Sequence, residues 1–338
     1  MRSRAGIFAT ALVLSACAGS NSFAAPQPCP DTQPCATTLT SGNPDPGPVP
    51  HTGRWGIYEL DLETRAVQLL HSSPTRLSYL RLHPAGGELA FSQPVGGEAH
   101  EREEIFTIGT DGGGLRRLTD NDSWDLYPVW SPDGLRIAFL SWRDESLGIF
   151  VMDLEGGPPV AVIDSPLHEA DIDWVDGLIA FTRESRVWVM RADGSEARPV
   201  TDPPRAGEWG ATNLPFGDYD PRISPDGKRV IFERLVGDAS PHGNYDLFLV
   251  DLETLAETRL TETGYSQGLA NWSHSGRQLV YILSAVDQAG RYDIVLMNAD
   301  GTDPRNLTAD LFPDSFLCHW AIFSADDLAL YVIGEWWD

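Results

Sequence analysis

One stretch constrains this chain more than any other: Tyr127-Pro-Val-Trp-Ser-Pro-Asp-Gly-Leu-Arg-Ile-Ala-Phe-Leu140, because five further segments copy it. The copies run from Tyr79 to Ser92, Asp171 to Thr182, Asp220 to Glu233, Leu269 to Leu283 and Trp320 to Ile333. Each is a short apolar-alternating run, a turn like Ser-Pro-Asp-Gly and a second apolar run. Proline presets φ at the second turn position and glycine accepts a left-handed conformation near its end, so each copy reads as a tight β-hairpin. A second hairpin type also occurs six times, beginning at Ile57, Ile105, Ile149, Val187, Leu247 and Ile294. Most of these are followed by a strand closing on Leu-Thr or Val-Thr, at Thr119, Thr201, Thr261 and Thr308.

Two hairpins alternating at a period of roughly 45 residues make one four-stranded antiparallel sheet per repeat, the unit of a β-propeller. The series opens with the second type, from Ile57 to Leu70, and closes with the first, from Trp320 to Ile333. The two unpaired hairpins therefore complete each other, the C-terminal one giving the inner strands of a shared blade and the N-terminal one the outer strands. That closure leaves no open sheet edge between first and last blades. The expectation is an all-β protein: a six-bladed β-propeller of four-stranded antiparallel blades over residues 55–338.

Residues 1–54 read differently. Met1 to Ala16 has a charged start at Arg2 and Arg4 and an apolar core from Ile7 to Leu14, too short to span a bilayer, as in a secretory signal. Leu14-Ser15-Ala16-Cys17 resembles the bacterial lipoprotein cleavage box, which implies cleavage before Cys17, a diacylglycerol on its sulfur and acylation of the new N-terminus. Several acyl chains hold a protein stably where one is marginal. With Ala18 after the cysteine, the resemblance implies the outer membrane or cell surface. The alternative is ordinary cleavage near Ala24 and a soluble secreted protein. Residues 17–54 are rich in Pro, Thr, Gly and Ser and read as a flexible tether. Within it, Cys29 and Cys35 suit a local disulfide in an exported protein, and a bridge to Cys318 is the other pairing left open.

The net charge of −25 argues against nucleic acid or an anionic lipid surface as partner, since both require a basic face. Membrane attachment then rests on the lipid anchor.

The repeats Tyr-x-x-x-Trp-Ser-Pro-Asp-Gly-x-x-Ile-x-Phe, then Ile-Phe-Val-Met-Asp and a Leu-Thr end, resemble the TolB-type propeller repeat from Trp55 to Trp337. TolB carries an α/β domain ahead of its propeller, where this chain has the tether. Similar repeats occur in the propellers of prolyl-oligopeptidase-like enzymes, but no Gly-x-Ser-x-Gly elbow follows here. They also occur in oligogalacturonate lyases, which the resemblance implies would hold manganese through histidines on one face. Fold alone does not select among these.

If inner strands begin at the top face, the short stereotyped turns lie below. The long loops then lie above: Ser92 to Glu104, Ser141 to Leu147, Asp202 to Asp218 and Leu235 to Tyr245. Long variable loops on one face mark a binding surface. Four groups of candidates follow. The entry loop with Asp120, Asp122 and Asp125, and Asp218 and Asp220 at an equivalent entry, offers oxygen ligands for calcium, or simply caps its own turns. His168, His242 and His319, with Glu169 close behind, would hold a transition metal if they converge, or are scattered and solvated. Alignment of the copies puts Arg81, Val129, Asp173, Arg222, Asn271 and Ile322 at one inner-strand position. Arg81, Asp173, Arg222 and Asn271 would line the channel for a ligand or form an Arg–Asp network that satisfies itself between blades; the second is favoured. Trp124, Trp142 and Trp209, with Phe216, are loop aromatics suited to stacking on sugar or gripping peptide, or to capping blade cores.

No Ser/His/Asp triad, phosphate loop or paired-carboxylate spacing is legible. The expectation is a monomeric, envelope-anchored, non-catalytic propeller presenting its top face to an envelope protein, peptide or glycan. The alternative is a metal-dependent polysaccharide lyase or hydrolase with a top-face histidine site.

Overall fold

A computed structural model describes residues 49–96, 102–143, 146–163, 165–239, 242–285 and 291–337. The signal segment, Cys17, Cys29 and Cys35 lie outside the described residues.

The described chain is all-β: six four-stranded antiparallel sheets, without a helix. The first blade runs Ser78–Leu82, Glu88–Val95, Arg102–Gly109 and Arg116–Arg117 from inside to outside. The second follows as Asp125–Trp130, Arg136–Ser141, Gly148–Asp153 and Val160–Ile163. The third comprises Glu169–Val175, Leu178–Arg183, Arg186–Arg191 and Arg198–Pro199, and the fourth Asp218–Ile223, Arg229–Gly237, Asn244–Asp251 and Glu257–Arg259. The fifth is Tyr265–Trp272, Gln278–Ala285, Tyr292–Asn298 and Arg305–Asn306. The sixth takes its inner strands, Phe316–Phe323 and Ala329–Trp336, from the C-terminal hairpin and its outer strands, Trp55–Asp61 and Val67–Ser73, from the N-terminal one. The seam is a continuous ladder from Trp55 opposite Glu335 to Asp61 opposite Ala329. The blade count and the shared closing blade are as the repeats imply.

The turns explain why the motif recurs. In Ser131–Arg136, the Ser131 amide bonds the Arg136 carbonyl at 2.9 Å and the Gly134 amide bonds the Ser131 carbonyl at 2.8 Å. The Asp133 carboxylate accepts from the Ser131 hydroxyl (2.5 Å) and the Leu135 amide (3.0 Å). Gly134 has φ +71°, and a Cβ there would sit 2.3 Å from His83 Nε2 on the preceding blade. Glycine is thus required twice over, by backbone and by neighbour. In the sixth blade Asp327 takes the left-handed position at φ 60°, and its carboxylate accepts the His274 and Ser275 amides of the fifth blade at 2.7 and 2.9 Å.

The Leu-Thr and Val-Thr endings also have a structural role. Thr119, Thr201, Thr261 and Thr308 each turn a hydroxyl back onto the first apolar residue of the third strand. They accept the amides of Ile105, Val187, Leu247 and Ile294 at 2.8–3.0 Å. The outermost strands are too short to pair those amides through backbone, so a buried donor would otherwise be left open. Between blades lie the apolar residues of the inner strands, with Phe91, Phe139, Phe181 and Phe232 at equivalent second-strand positions, all buried.

Candidate functional site

Every inner strand carries a register break, and in the first five blades a residue inside it has positive φ: Tyr79 (60°), Tyr127 (60°), Asp171 (54°), Asp220 (49°) and Leu269 (55°). A bulge gives the strand one extra residue and re-aims its side chains. The amides exposed by the break are taken by neighbours. Ser92 Oγ accepts from Tyr127 N at 3.0 Å, Asp171 from Asp220 N at 3.4 Å, and Glu233 Oε2 from Leu269 N at 3.0 Å. Each acceptor belongs to the preceding blade, so these bonds lock blade to blade.

The bulged side chains meet at the axis. Tyr127, on the second blade, donates its hydroxyl to Asp220 Oδ1 at 2.5 Å and accepts from Arg222 Nη2 at 2.5 Å, both on the fourth blade. Its ring lies 4.2 Å from Tyr79 on the first blade and 6.1 Å from Trp320 on the sixth. Only a residue on the axis touches four blades. Tyr79, Tyr127 and Trp320 are all buried, so rings from three blades meet at the axis.

Of the aligned inner-strand set, three members are bonded across blades. Arg222 donates from Nη1 to Pro221 O at 2.7 Å and from Nε to Asn271 Oδ1 at 3.3 Å, in addition to Tyr127 and Asp220. Asp173 Oδ2 accepts Ile223 N at 2.8 Å, and Asn271 Nδ2 donates to Ala321 O at 3.0 Å. Arg81 is different. It donates from Nη1 to the adjacent Leu80 carbonyl at 3.2 Å, while its Nε and Nη2 are buried without a partner among the described residues. Val129 and Ile322 complete the position with apolar side chains.

The charges at the axis are shifted by burial. Asp171 is pushed well above the ordinary carboxylate range, by burial first and then by the neighbouring Asp220 charge. Glu233 is pushed up in the same way. Asp220 is also raised by burial, which Arg222 and the Tyr127 hydroxyl oppose. Burial and the like charge of Arg222 pull Arg81 down to about 10. Burial thus favours the neutral forms of Asp171 and Glu233, which lessens the cost of uncompensated buried charge.

The top rim is a series of carboxylate–guanidinium pairs. Asp125 accepts from Asn121 Nδ2 at 2.6 Å, Ser141 Oγ at 2.5 Å and Arg143 Nη2 at 3.0 Å. Glu169 meets Arg183 at 2.6 Å, Asp218 meets Arg234 at 2.6 Å and Glu335 meets Arg54 at 2.8 Å. Asp120 and Asp122, fully in solvent, pair with Arg117 (2.7 Å) and Arg102 (2.5 Å). The acidic loop is therefore occupied by arginines.

The three candidate histidines stand apart. His319 is buried between Trp55 (4.7 Å) and Tyr292 (5.4 Å), with Nε2 2.7 Å from Glu335 Oε2. His168 stacks on Trp142 at 5.1 Å and accepts the Leu147 amide at 3.1 Å, and burial lowers its pKa. His242 lies on the loop entering the third strand of the fourth blade. Among the described residues no three His, Cys, Asp or Glu side chains are grouped to hold a metal. Cys318 is buried and forms no disulfide among the described residues; Cys29 and Cys35, its possible tether partners, lie outside them.

The loop aromatics divide. Trp209 is 61% exposed, whereas Phe216 is buried beneath Arg205, whose guanidinium carbon sits 3.6 Å from the ring centroid. Trp124 and Trp142 are half-buried and joined by the Trp142 N to Trp124 O bond at 2.9 Å. Sequence reasoning gave no weight to a top-face cleft at the closing blade, walled by His51, Arg54, Trp336 and Trp337. His51 stacks on Trp336 at 4.1 Å and Arg54 covers Trp337 at 4.9 Å. Its signal was the Trp-Trp pair opposite the end of the tether.

No family model matches the chain. An uncharacterized protein of Agrobacterium fabrum is 25% identical over 213 residues, covering 60% of this chain and 68% of that protein. A Protein TolB homolog of Chlorobium luteolum is 29% identical over 157 residues, 45% of this chain but only 32% of that homologue's length. Among solved structures, a putative TolB from Agrobacterium tumefaciens superposes with TM-score 0.64 at 16% identity, over 84% of this chain and 99% of that one. An oligogalacturonate lyase in complex with manganese superposes with TM-score 0.53 at 13% identity, over 84% and 83% of the two chains. With its six blades, its closing ladder and these likenesses, the chain is a TolB-like six-bladed β-propeller.

Proposed function

We propose that this is an exported, non-catalytic propeller of the bacterial cell envelope. It is anchored through a lipid on Cys17 and carried on the 17–54 tether, and it binds an envelope protein, peptide or glycan with its top face. The observation that carries the reading is Trp209. It is the one tryptophan of 11 with an exposed side chain, on the long 202–217 loop. That loop is pinned by a buried cluster of Leu214, Phe216, Tyr219, Leu235 and Tyr245. A rigidly backed, solvent-facing indole is the kind of anchor that dominates binding interfaces. The likeness to TolB proteins supports an envelope partner. The metal-dependent lyase or hydrolase is the weaker reading, since His168 and His319 serve separate local contacts and no three potential ligands are grouped among the described residues.

The test places a photocrosslinking residue at Trp209 and, as a bottom-face control, at Leu328, which is 64% exposed. A discrete envelope adduct from position 209 alone is expected. Equal adducts at both positions, or none at 209, would end the top-face reading. In parallel, Cys17→Ala should move the protein out of the membrane fraction; retention there would reject the lipid anchor.

A further inference from the structure

The axis holds two arginines in unequal states. Arg222 has each of its three nitrogens bonded, one of them within a tight triangle with Tyr127 and Asp220. Arg81 is 92% withdrawn from solvent, being 8% exposed, and no carboxylate among the described residues pairs with it. Its two open nitrogens, Nε and Nη2, form one edge of the guanidinium. That edge presents two parallel N–H donors, the fork that engages both oxygens of a carboxylate. The open edge is not a surface accident, because Arg81 is held between rings, 5.6 Å from the Tyr127 centroid and 5.3 Å from that of Trp320. The Trp320 indole Nε1 is itself buried with no acceptor among the described residues. Unmet buried donors thus collect on one side of the axis.

The nearby acids are committed elsewhere. Asp173 serves the Ile223 amide, Asp220 serves Tyr127 and Arg222, and Glu233 serves the Leu269 amide. Asp171 and Glu233 are moreover held toward their neutral forms by burial. Asp173 and Asp220 act on Arg81 only through space, without a hydrogen bond, and a buried guanidinium edge with no acceptor is costly.

We propose that the propeller axis is an anion site. A small monocarboxylate binds bidentately to the Nε–Nη2 edge of Arg81, the axial guanidinium edge left without an acceptor among the described residues. No bond is made or broken. The ligand replaces the acid that Arg222 finds in Asp220. The ligand is either a free small carboxylate or the carboxylate end of a longer molecule reaching in along the axis, and these share the same contact.

The probe is formate, the smallest carboxylate, added to the full-length protein at ionic strength matched with chloride. Formate should raise the melting temperature saturably and shift the intrinsic fluorescence of the tryptophan set that includes Trp320. A ligand that binds only the native state must do the first. Arg81→Lys keeps the charge but lacks the fork and should weaken formate at least about tenfold, the loss expected for one charge-assisted hydrogen bond. Arg81→Met should abolish the response. If either variant fails to fold, ¹³C-formate relaxation on the wild-type protein decides the matter, because saturable broadening displaced by acetate is expected of a site. A free carboxylate is indicated if formate and acetate saturate with comparable midpoints. The end of a longer molecule is indicated if a short peptide displaces them through its C-terminus but its amidated form does not. A wild-type protein indifferent to formate beyond the chloride control, or an Arg81→Met variant that responds equally, would overturn the site and leave water on the fork. Neither result bears on the Trp209 crosslink.

Discussion

Tyr127→Phe tests whether the axial triangle holds the ring of blades together. The substitution removes one oxygen that makes two 2.5 Å hydrogen bonds, to Asp220 and from Arg222. It leaves the ring in place against Tyr79 at 4.2 Å and beneath Arg81 at 5.6 Å. What remains between Arg222 and Asp220 is a single contact at 3.4 Å. Hydrogen bonds to charged groups contribute about 1.5–3 kcal/mol each, and stranding a buried charged partner costs the upper end. The expected loss is therefore about 3 kcal/mol. At roughly 2 °C per kcal/mol for a domain of this size, that lowers the melt by about 6 °C. Tyr245→Phe is the matched control. Its hydroxyl is equally buried but has no partner among the described residues, so its removal should be neutral or slightly stabilising. Guanidinium unfolding of both variants, read as a change in midpoint at constant slope, measures the difference. If Tyr127→Phe costs less than about 1 kcal/mol, or Tyr245→Phe costs as much as it does, the triangle is not what the geometry says it is.

Two further outcomes follow from the same structure. Glu233 and Asp171 have folded pKa values raised by burial, so their protons stabilise the fold at low pH and that contribution is lost as pH rises through the folded values. Glu233→Gln keeps an acceptor for the Leu269 amide and should flatten the decline in melting temperature as pH rises above the ordinary carboxylate range; an unchanged or steeper decline would contradict the assignment. Thr201→Val removes the 3.0 Å acceptor of the buried Val187 amide and should cost about 1–3 kcal/mol, with faster hydrogen exchange at Val187 as the local signature. Unaltered exchange there would mean that another group takes the amide.

The repeat was legible because it is local. A Ser-Pro-Asp-Gly turn fixes its own register through bonds no more than five residues apart, as Ser131 to Arg136 shows. The Thr cap reaches back only 14 positions, as Thr201 to Val187 shows. Six such copies, offset by one hairpin, imply six blades and a shared seam. The site was less legible. Alignment correctly set Arg81 beside Arg222 in the repeat, yet nothing in the linear order distinguishes a saturated guanidinium from an open one. That difference comes from Tyr127 and Asp220, one of which lies two blades away. Loop aromatics could not be told apart for a similar reason, since Phe216 folds under Arg205 while Trp209, seven residues earlier, stays in solvent.

The sequence by itself therefore determined the hairpins, the blade number and the mode of closure, because period-2 patterning and turn chemistry act within one repeat. Tertiary structure alone decided what fills the axis. Bulges turn Tyr79, Tyr127, Asp171 and Asp220 inward only once the ring closes, and their partners come from strands that share no local sequence. Burial then sets which of those acids keep their protons and which arginine is left with an open edge.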